Sequence, residues 1–207
     1  FGTLQATNIT EMTGVEWMGV SRYWQPGTAS YWDWYYGVRY LQIKDTFAID
    51  GSGGFLDASY LNTEAKNDIV GPQIGVRWNY DVSYITFAVE GRFVPGVNFQ
   101  RAVQTGHIAT NATPGGQNEP VALTATAFNS TLTDERFAPV GELRVETIYK
   151  VNPWFGFRLG YTGLIAGGIS RASEKVNYEL PYFGISNRAS HEALFANALT
   201  FGLELNR

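Results

Sequence analysis

Residues 67–78 read NDIVGPQIGVRW, and from Val70 onward the segment alternates. Gly71, Gln73, Gly75 and Arg77 take every second position, and Val70, Pro72, Ile74, Val76 and Trp78 the positions between. A period of two is that of a β-strand, whose successive side chains point to opposite faces. One face here is bulky and apolar. The other carries glycine, glutamine and arginine, whereas a water-facing strand surface is normally Thr, Lys, Glu and Ser.

The pattern recurs along the chain. Gly14–Trp24 sets Val15, Trp17 and Tyr23 against Glu16, Met18 and Arg22. Tyr31–Lys44 sets Trp32, Trp34, Tyr36, Val38 and Tyr40 against Asp33, Tyr35, Gly37 and Arg39. Ser83–Phe93 sets Ile85, Phe87, Val89 and Phe93 against Thr86, Ala88, Glu90 and Arg92. Gly141–Lys150 sets Leu143, Val145 and Tyr149 against Glu142, Arg144 and Glu146. Trp154–Ile165 sets Phe155, Phe157, Leu159, Tyr161 and Ile165 against Gly156, Arg158, Gly160 and Thr162. Ala198–Asn206 sets Leu199, Phe201, Leu203 and Leu205 against Thr200, Gly202 and Glu204. With the opening stretch this makes seven strands, and no helical period of comparable strength competes.

Composition narrows the setting. The 207 residues suffice for one domain with a sizeable core. There is no cysteine, hence no disulfide framework or thiolate metal site, and a net charge of −4 gives no reason to expect nucleic acid. Charged residues are only 16%, against about 25% in ordinary soluble domains, while aromatics reach 15%. No run approaches the roughly 18 apolar residues of a transmembrane helix, and FGTLQATNIT does not read as a signal peptide.

A soluble sandwich also alternates. Three features instead favour an all-β, antiparallel up-and-down transmembrane barrel. The runs are about 10–14 residues, longer than the usual 5–6 of soluble sheets and suited to a tilted membrane strand. Connections alternate between short (Gln25–Ser30, Asp81–Val82, Val151–Pro153) and long (near 45–66, 97–134 and 166–194). Trp and Tyr crowd the short turns: Tyr23, Trp24, Tyr31, Trp32 and Trp34, then Trp78, Tyr80 and Tyr84, then Tyr149 and Trp154. Rings with one polar tip favour a membrane–water interface, so these ten form an expected aromatic girdle.

The small-and-polar face then looks into a lumen. It carries Glu16, Asp33, Glu90, Glu142, Glu146 and Glu204 against Arg22, Arg39, Arg77, Arg92, Arg144 and Arg158. Guanidinium forks bridge several carboxylates, and glycine leaves room for their arms. Two readings follow. At about eight strands the interior has room only for side chains, and the network is a structural plug; at twelve or more it lines a pore. Bacterial barrels have even strand numbers, so 1–10 is expected to be the tail of an eighth strand or what remains of upstream strands, giving eight or more in the complete barrel.

Taken in order, GVEWMGVSRYW, YYGVRYLQIKDTFAI, NDIVGPQIGVRW, FAPVGELRVETIYKVNPWFGFRLGYTGLI and ALTFGLELN resemble successive motifs of the planctomycete BBP7 family of outer-membrane β-barrel proteins. The resemblance covers nearly the whole chain; GVRYL alone is also similar to Legionella-type pore-forming major outer-membrane proteins. It implies an outer-membrane barrel of a planctomycete-like bacterium and little about activity. Family members look longer at the N-terminus, and the ending Leu205–Asn206–Arg207 lacks the terminal aromatic that commonly closes a last strand.

Other chemistry is sparse. His107 and His191 are the only histidines, both in expected loops, and are the sole candidates for a rim enzyme. No His or acidic cluster has metal-ligand spacing. DGSGG (50–54) lacks the helix of a phosphate cradle and the Asp ladder of a Ca²⁺ loop, and reads as a flexible turn. Asn8, Asn111 and Asn129 open N-x-S/T sequons at about chance frequency, and 105–133 reads as a mobile surface loop or as a contact or glycan-bearing surface. The expectation is a non-enzymatic barrel without cofactor or metal, having a structural or surface role. Its partners would be membrane lipid or lipopolysaccharide, and like subunits or surface-layer components at three outward loops. A passive solute channel is the alternative and a rim enzyme the third.

Overall fold

In a computed structural model the outward row Trp32, Trp34, Tyr36, Val38 and Tyr40 is exposed along its whole length, while Asp33 and Leu41 on the opposite parity are buried. The structure describes residues 2–24, 26–53, 58–108, 126–152, 154–177, 184–186 and 192–205. The strands are β1 (Thr3–Trp24), β2 (Ser30–Ser52), β3 (Ser59–Val82), β4 (Ile85–Ile108), β5 (Thr126–Asn152) and β6 (Phe155–Ile169). A 3₁₀ turn (Ser173–Lys175), the two-residue pair β7 (Val176–Asn177) and β8 (Gly184–Ile185), and β9 (Glu192–Leu205) follow. β1 to β6 and then β9 form one seven-stranded sheet in chain order, each neighbour antiparallel. It is curled, and its margins, β1 and β9, are not paired to each other.

The expected all-β, up-and-down architecture of seven strands is therefore present, but β1 to β5 are 22 to 27 residues long. Residues 45–52 and 59–66, expected in a loop, are the far ends of β2 and β3. Likewise 97–108 and 126–134 belong to β4 and β5. Residues 3–10 are not a separate strand but the start of β1, paired with 45–52. Asp81 and Val82 belong to β3, and the turn is Ser83–Tyr84, with Ser83 at φ 48°. Asn111, His191 and Gly54 lie outside the described residues, as do most of 105–133 and the chain's last two positions.

The extra strand length has a physical signature. Up to Tyr40 in β2, apolar residues occupy the outer face; from Leu41 they occupy the inner one, with Leu41 and Ile43 buried and Gln42, Lys44 and Thr46 outside. β3 inverts at the same level: Val70, Ile74 and Val76 point outward, whereas Ile69, Ala65 and Leu61 are buried within. Register aligns the first fully polar outer row, Glu11, Lys44, Lys66, Arg101 and Thr133. Because side chains alternate strictly, the switch means that the surroundings of the outer face change from apolar to aqueous at that row.

A second feature crosses the strands at the level of the inversion. Pro72, Pro95 and Pro139 fall in register on the outer face of β3, β4 and β5. The β3–β4 ladder is interrupted there, between the pairs Val70–Val97 and Ile74–Phe93. Their neighbours Gly71 and Gly96 face inward. A Cβ on Gly96 would lie 2.6 Å from Ile69 Cγ2, and one on Gly71 would lie 2.9 Å from the Gly96 Cα. On β3 and β4 the backbones thus approach so closely here that only hydrogen fits on the concave side.

Two outward positions on β3 test the inversion. Val76→Arg, inside the apolar band, is expected to destabilise the protein folded in lipid vesicles by about 2–4 kcal/mol, and Asn62→Arg, beyond it, by no more than about 0.5 kcal/mol. Urea titration in vesicles reads both; equal penalties would place the boundary elsewhere.

Candidate functional site: the inner wall

Register turns the inward charges into a pattern that spacing within single strands does not reveal. Arg22, Asp33, Arg77, Glu90 and Arg144 lie directly opposite one another on β1 to β5, alternating in sign at every step. Opposite charges facing each other across strands stabilise, and like charges would repel. Arg22 Nε donates to Asp33 Oδ1 at 2.7 Å, and its guanidinium lies over the Tyr31 ring. Arg77 reaches Glu90 at 3.3 Å and Glu146 at 2.7 Å, and Asn79 links it to Asp33. Glu90, 2% exposed, also receives Arg92 and, at 3.9 Å, Arg144. Arg144 in turn pairs with Glu142.

Two further pairs span the concavity. Arg92 Nη1 meets Glu16 Oε1 at 2.6 Å, joining β4 to β1. Arg39 Nη1 meets Glu142 Oε2 at 2.5 Å, joining β2 to β5. Following the register, Arg39 is level with Ala138, four residues from Glu142. In a flat sheet their Cα atoms would be roughly 19 Å apart. Extended arginine and glutamate joined by a hydrogen bond reach only about 14 Å. The sheet therefore curls tightly here, and the two side chains bridge its hollow. Gly75 makes room for this layer, since a Cβ there would be 3.0 Å from Arg92 Cγ. Arg158 and Glu204 form a separate pair at 3.5 Å beside the β9 margin.

Most of the aromatic residues named above line the outer face at the turn end, where the Trp78 ring meets those of Trp32, Tyr80 and Phe87. Trp24 and Tyr31 do not belong with them. They oppose each other on the parity of Arg22 and Asp33, and so stand on the inner face. Trp34, Tyr23 and Tyr149 are outward and exposed; Tyr84 and Trp154 sit exposed in the hairpin turns.

A model of the family described as "Putative beta barrel porin-7 (BBP7)" matches residues 1–205. The chain belongs to the BBP7 family. No curated protein and no solved structure matches it.

Beyond the charged layer this BBP7 wall carries an apolar cluster of Leu41, Ile43, Ile69, Val94, Val140, Leu164 and Ile169, and then a row of buried amides that the strand patterning did not single out. Those amides hold the chain that leaves β6. Asn67 donates Nδ2–H to the Ser170 carbonyl at 2.9 Å, and its Oδ1 accepts the Ser170 N–H at 2.8 Å. Asn98 and Gln100 both donate to the Gly168 carbonyl, and Asp45 accepts the Ala172 N–H at 2.9 Å. Gly168 turns with φ 67°. Residues 168–176, expected in an outward loop, are thus a strap folded into the concave side, burying Ala172, Lys175 and Val176. Burial pushes the Lys175 ammonium below the ordinary lysine range, and repulsion from Arg136 acts in the same direction. The inner-face parity of Asn67, Asn98 and Gln100 was the available signal.

Nothing assembles around His107, which stands on β4 opposite Tyr60 with its Nδ1 unpartnered among the described residues. Among those residues no group of His, Asp and Glu is placed to hold a metal.

Glu90→Ala removes the acceptor shared by three arginines and is expected to cost about 3–5 kcal/mol; Glu204→Ala, in a more exposed pair, is expected to cost about 1 kcal/mol or less. Equilibrium unfolding compares them, and similar values would mean the central network is not buried in effect. Asn67→Ala should raise amide hydrogen exchange at Ser170 at least tenfold while β1–β2 protection stays unchanged, read by mass spectrometry.

Proposed function

We propose that this chain forms the wall of a narrow, non-enzymatic barrel in a bacterial outer membrane. Its hollow is occupied by ion-paired side chains, and it serves a structural or surface role. The observation that supports this best is the pair of salt bridges thrown from β1 to β4 and from β2 to β5. A curl tight enough to allow them belongs to barrels of about eight strands, whose interiors side chains fill. The strap adds a second obstruction at the end away from the short turns. In a bilayer the free backbone groups of β1 and β9 need partners, so this reading carries with it closure of both margins by strand pairing. The polar extension of β2 to β5 beyond the apolar band then stands outside the membrane, where lipopolysaccharide, like subunits or surface-layer components would meet it. The porin description of the family supports a second reading, a passive channel for small solutes.

Conductance in planar bilayers separates the two. The native protein is expected to be silent, and Arg77→Ala/Arg92→Ala to introduce a leak. Stable steps in the native protein that grow in the double variant would overturn the plug and establish an arginine-lined channel.

A further inference from the structure

The outer face holds a depression within its apolar band across β4, β5 and β6. Its floor is Gly91, Gly141 and Gly163, outward positions on the three adjacent strands β4, β5 and β6. Trp34, Phe93 and Phe195 stand among its walls, and it encloses about 690 Å³. Glycine weakens a strand interior, because it packs nothing and loses more chain entropy than other residues. Steric need does not explain it here: a Cβ on Gly91 would meet nothing within 4 Å, and on Gly163 only Tyr161 and Phe195 at ordinary contact distance. The chain treats an outward glycine differently elsewhere. At Gly19 a Cβ would lie 2.7 Å from the Tyr36 ring, so that ring already covers the gap. The groove across β4 to β6 has no such cover.

We infer that this groove is a binding site for one alkyl chain of a membrane lipid. The inference rests on the membrane placement proposed above. The groove lies wholly on the turn side of the row where the outer face becomes polar, at the level where hydrocarbon surrounds the band. The Arg92 and Glu142 side chains at its floor turn to the opposite face, which leaves the Tyr161 hydroxyl and the Trp34 indole N–H as the side-chain polar groups beside it. A wall so poor in hydrogen-bonding groups suits an unbranched hydrocarbon and not a headgroup or a peptide backbone, whose polar atoms would go unpaired. Van der Waals contact with the three-glycine floor orders that chain more than the ridged surface around it does.

Trp34 is a reporter inside the groove. In vesicles of phosphatidylcholine brominated at mid-chain and diluted with unbrominated lipid, the Trp34 signal is obtained as the difference between native protein and Trp34→Phe. It is expected to be quenched at a several-fold lower brominated fraction than that of Trp17 on β1, and native mass spectrometry from detergent should retain one lipid per chain. Gly91→Leu should remove both effects, and Gly91→Ala, which adds one carbon to open space, should reduce them without risk to folding. Equal quenching of Trp34 and Trp17 with no retained lipid, in protein that has inserted, would overturn the groove while leaving the barrel reading intact. Concentration-dependent loss of Trp34 quenching with cross-linking between copies would overturn it in favour of a second copy. Absence of quenching at both tryptophans would mean that the band does not meet lipid, and both readings would fall.

Discussion

A guanidinium withdrawn from water must find a carboxylate, and on this sheet the inter-strand register decides whether it does. Five strands deliver Arg22, Asp33, Arg77, Glu90 and Arg144 to one level with alternating sign. A slip of one residue in any pairing would turn that strand's charges toward the apolar side and leave their partners buried and unmatched. The same row therefore specifies register as well as filling the hollow. Arginine suits this layer: its planar fork meets Glu90 and Glu146 at once through separate nitrogens, as Arg77 does.

The turn-side half of the fold was legible because its two faces differ sharply. Trp32 to Tyr40 against Asp33 to Arg39 leaves no doubt about strand or facing. The far half was not, because there both faces carry polar groups. Asp45, Thr63, Asn67 and Gln104 lie inside; Lys44, Glu64, Lys66 and Thr105 lie outside. Amplitude falls, the apolar parity inverts, and a reader looking for one continuous phase sees loops. Leu4 to Thr10 suffers most, having the contrast of neither half, and only its pairing with 45–51 makes it a strand. Trp24 and Tyr31 were misplaced for a different reason. Their position beside a short turn suggested the girdle, although the alternation already set Tyr31 two residues from Asp33, on the inner parity.

The inner wall reads as stacked layers with separate tasks. The ion-paired layer and the buried amides are both polar, yet they differ in what satisfies them. Side chains satisfy the first. The second is satisfied largely by the main chain of the strap, through the Gly168 and Ser170 carbonyls and the Ser170 N–H, while the Asp45 carboxylate takes the Ala172 N–H. A buried asparagine such as Asn67 would be a liability on a bare wall; its two bonds to Ser170 make it a clamp. The strap's position is thus encoded in strands far from it in sequence, which is why no local pattern in 166–177 announces it.

The line of Pro72, Pro95 and Pro139 joins these layers. Proline is disfavoured in central strands because it removes a ladder bond, and three in register look like a defect. They lie at the level where the charged layer gives way to the apolar cluster. Outward rings and inward glycines let the backbones of β3 and β4 close up on the concave side, with the β3–β4 ladder opened there. In a flat sheet Arg39 and Glu142 would stay about 5 Å out of reach of each other, and the close approach of β3 and β4 at this level accompanies the tight curl that carries the plug reading. Gly71 and Pro72, in the middle of NDIVGPQIGVRW, hold one end of that line.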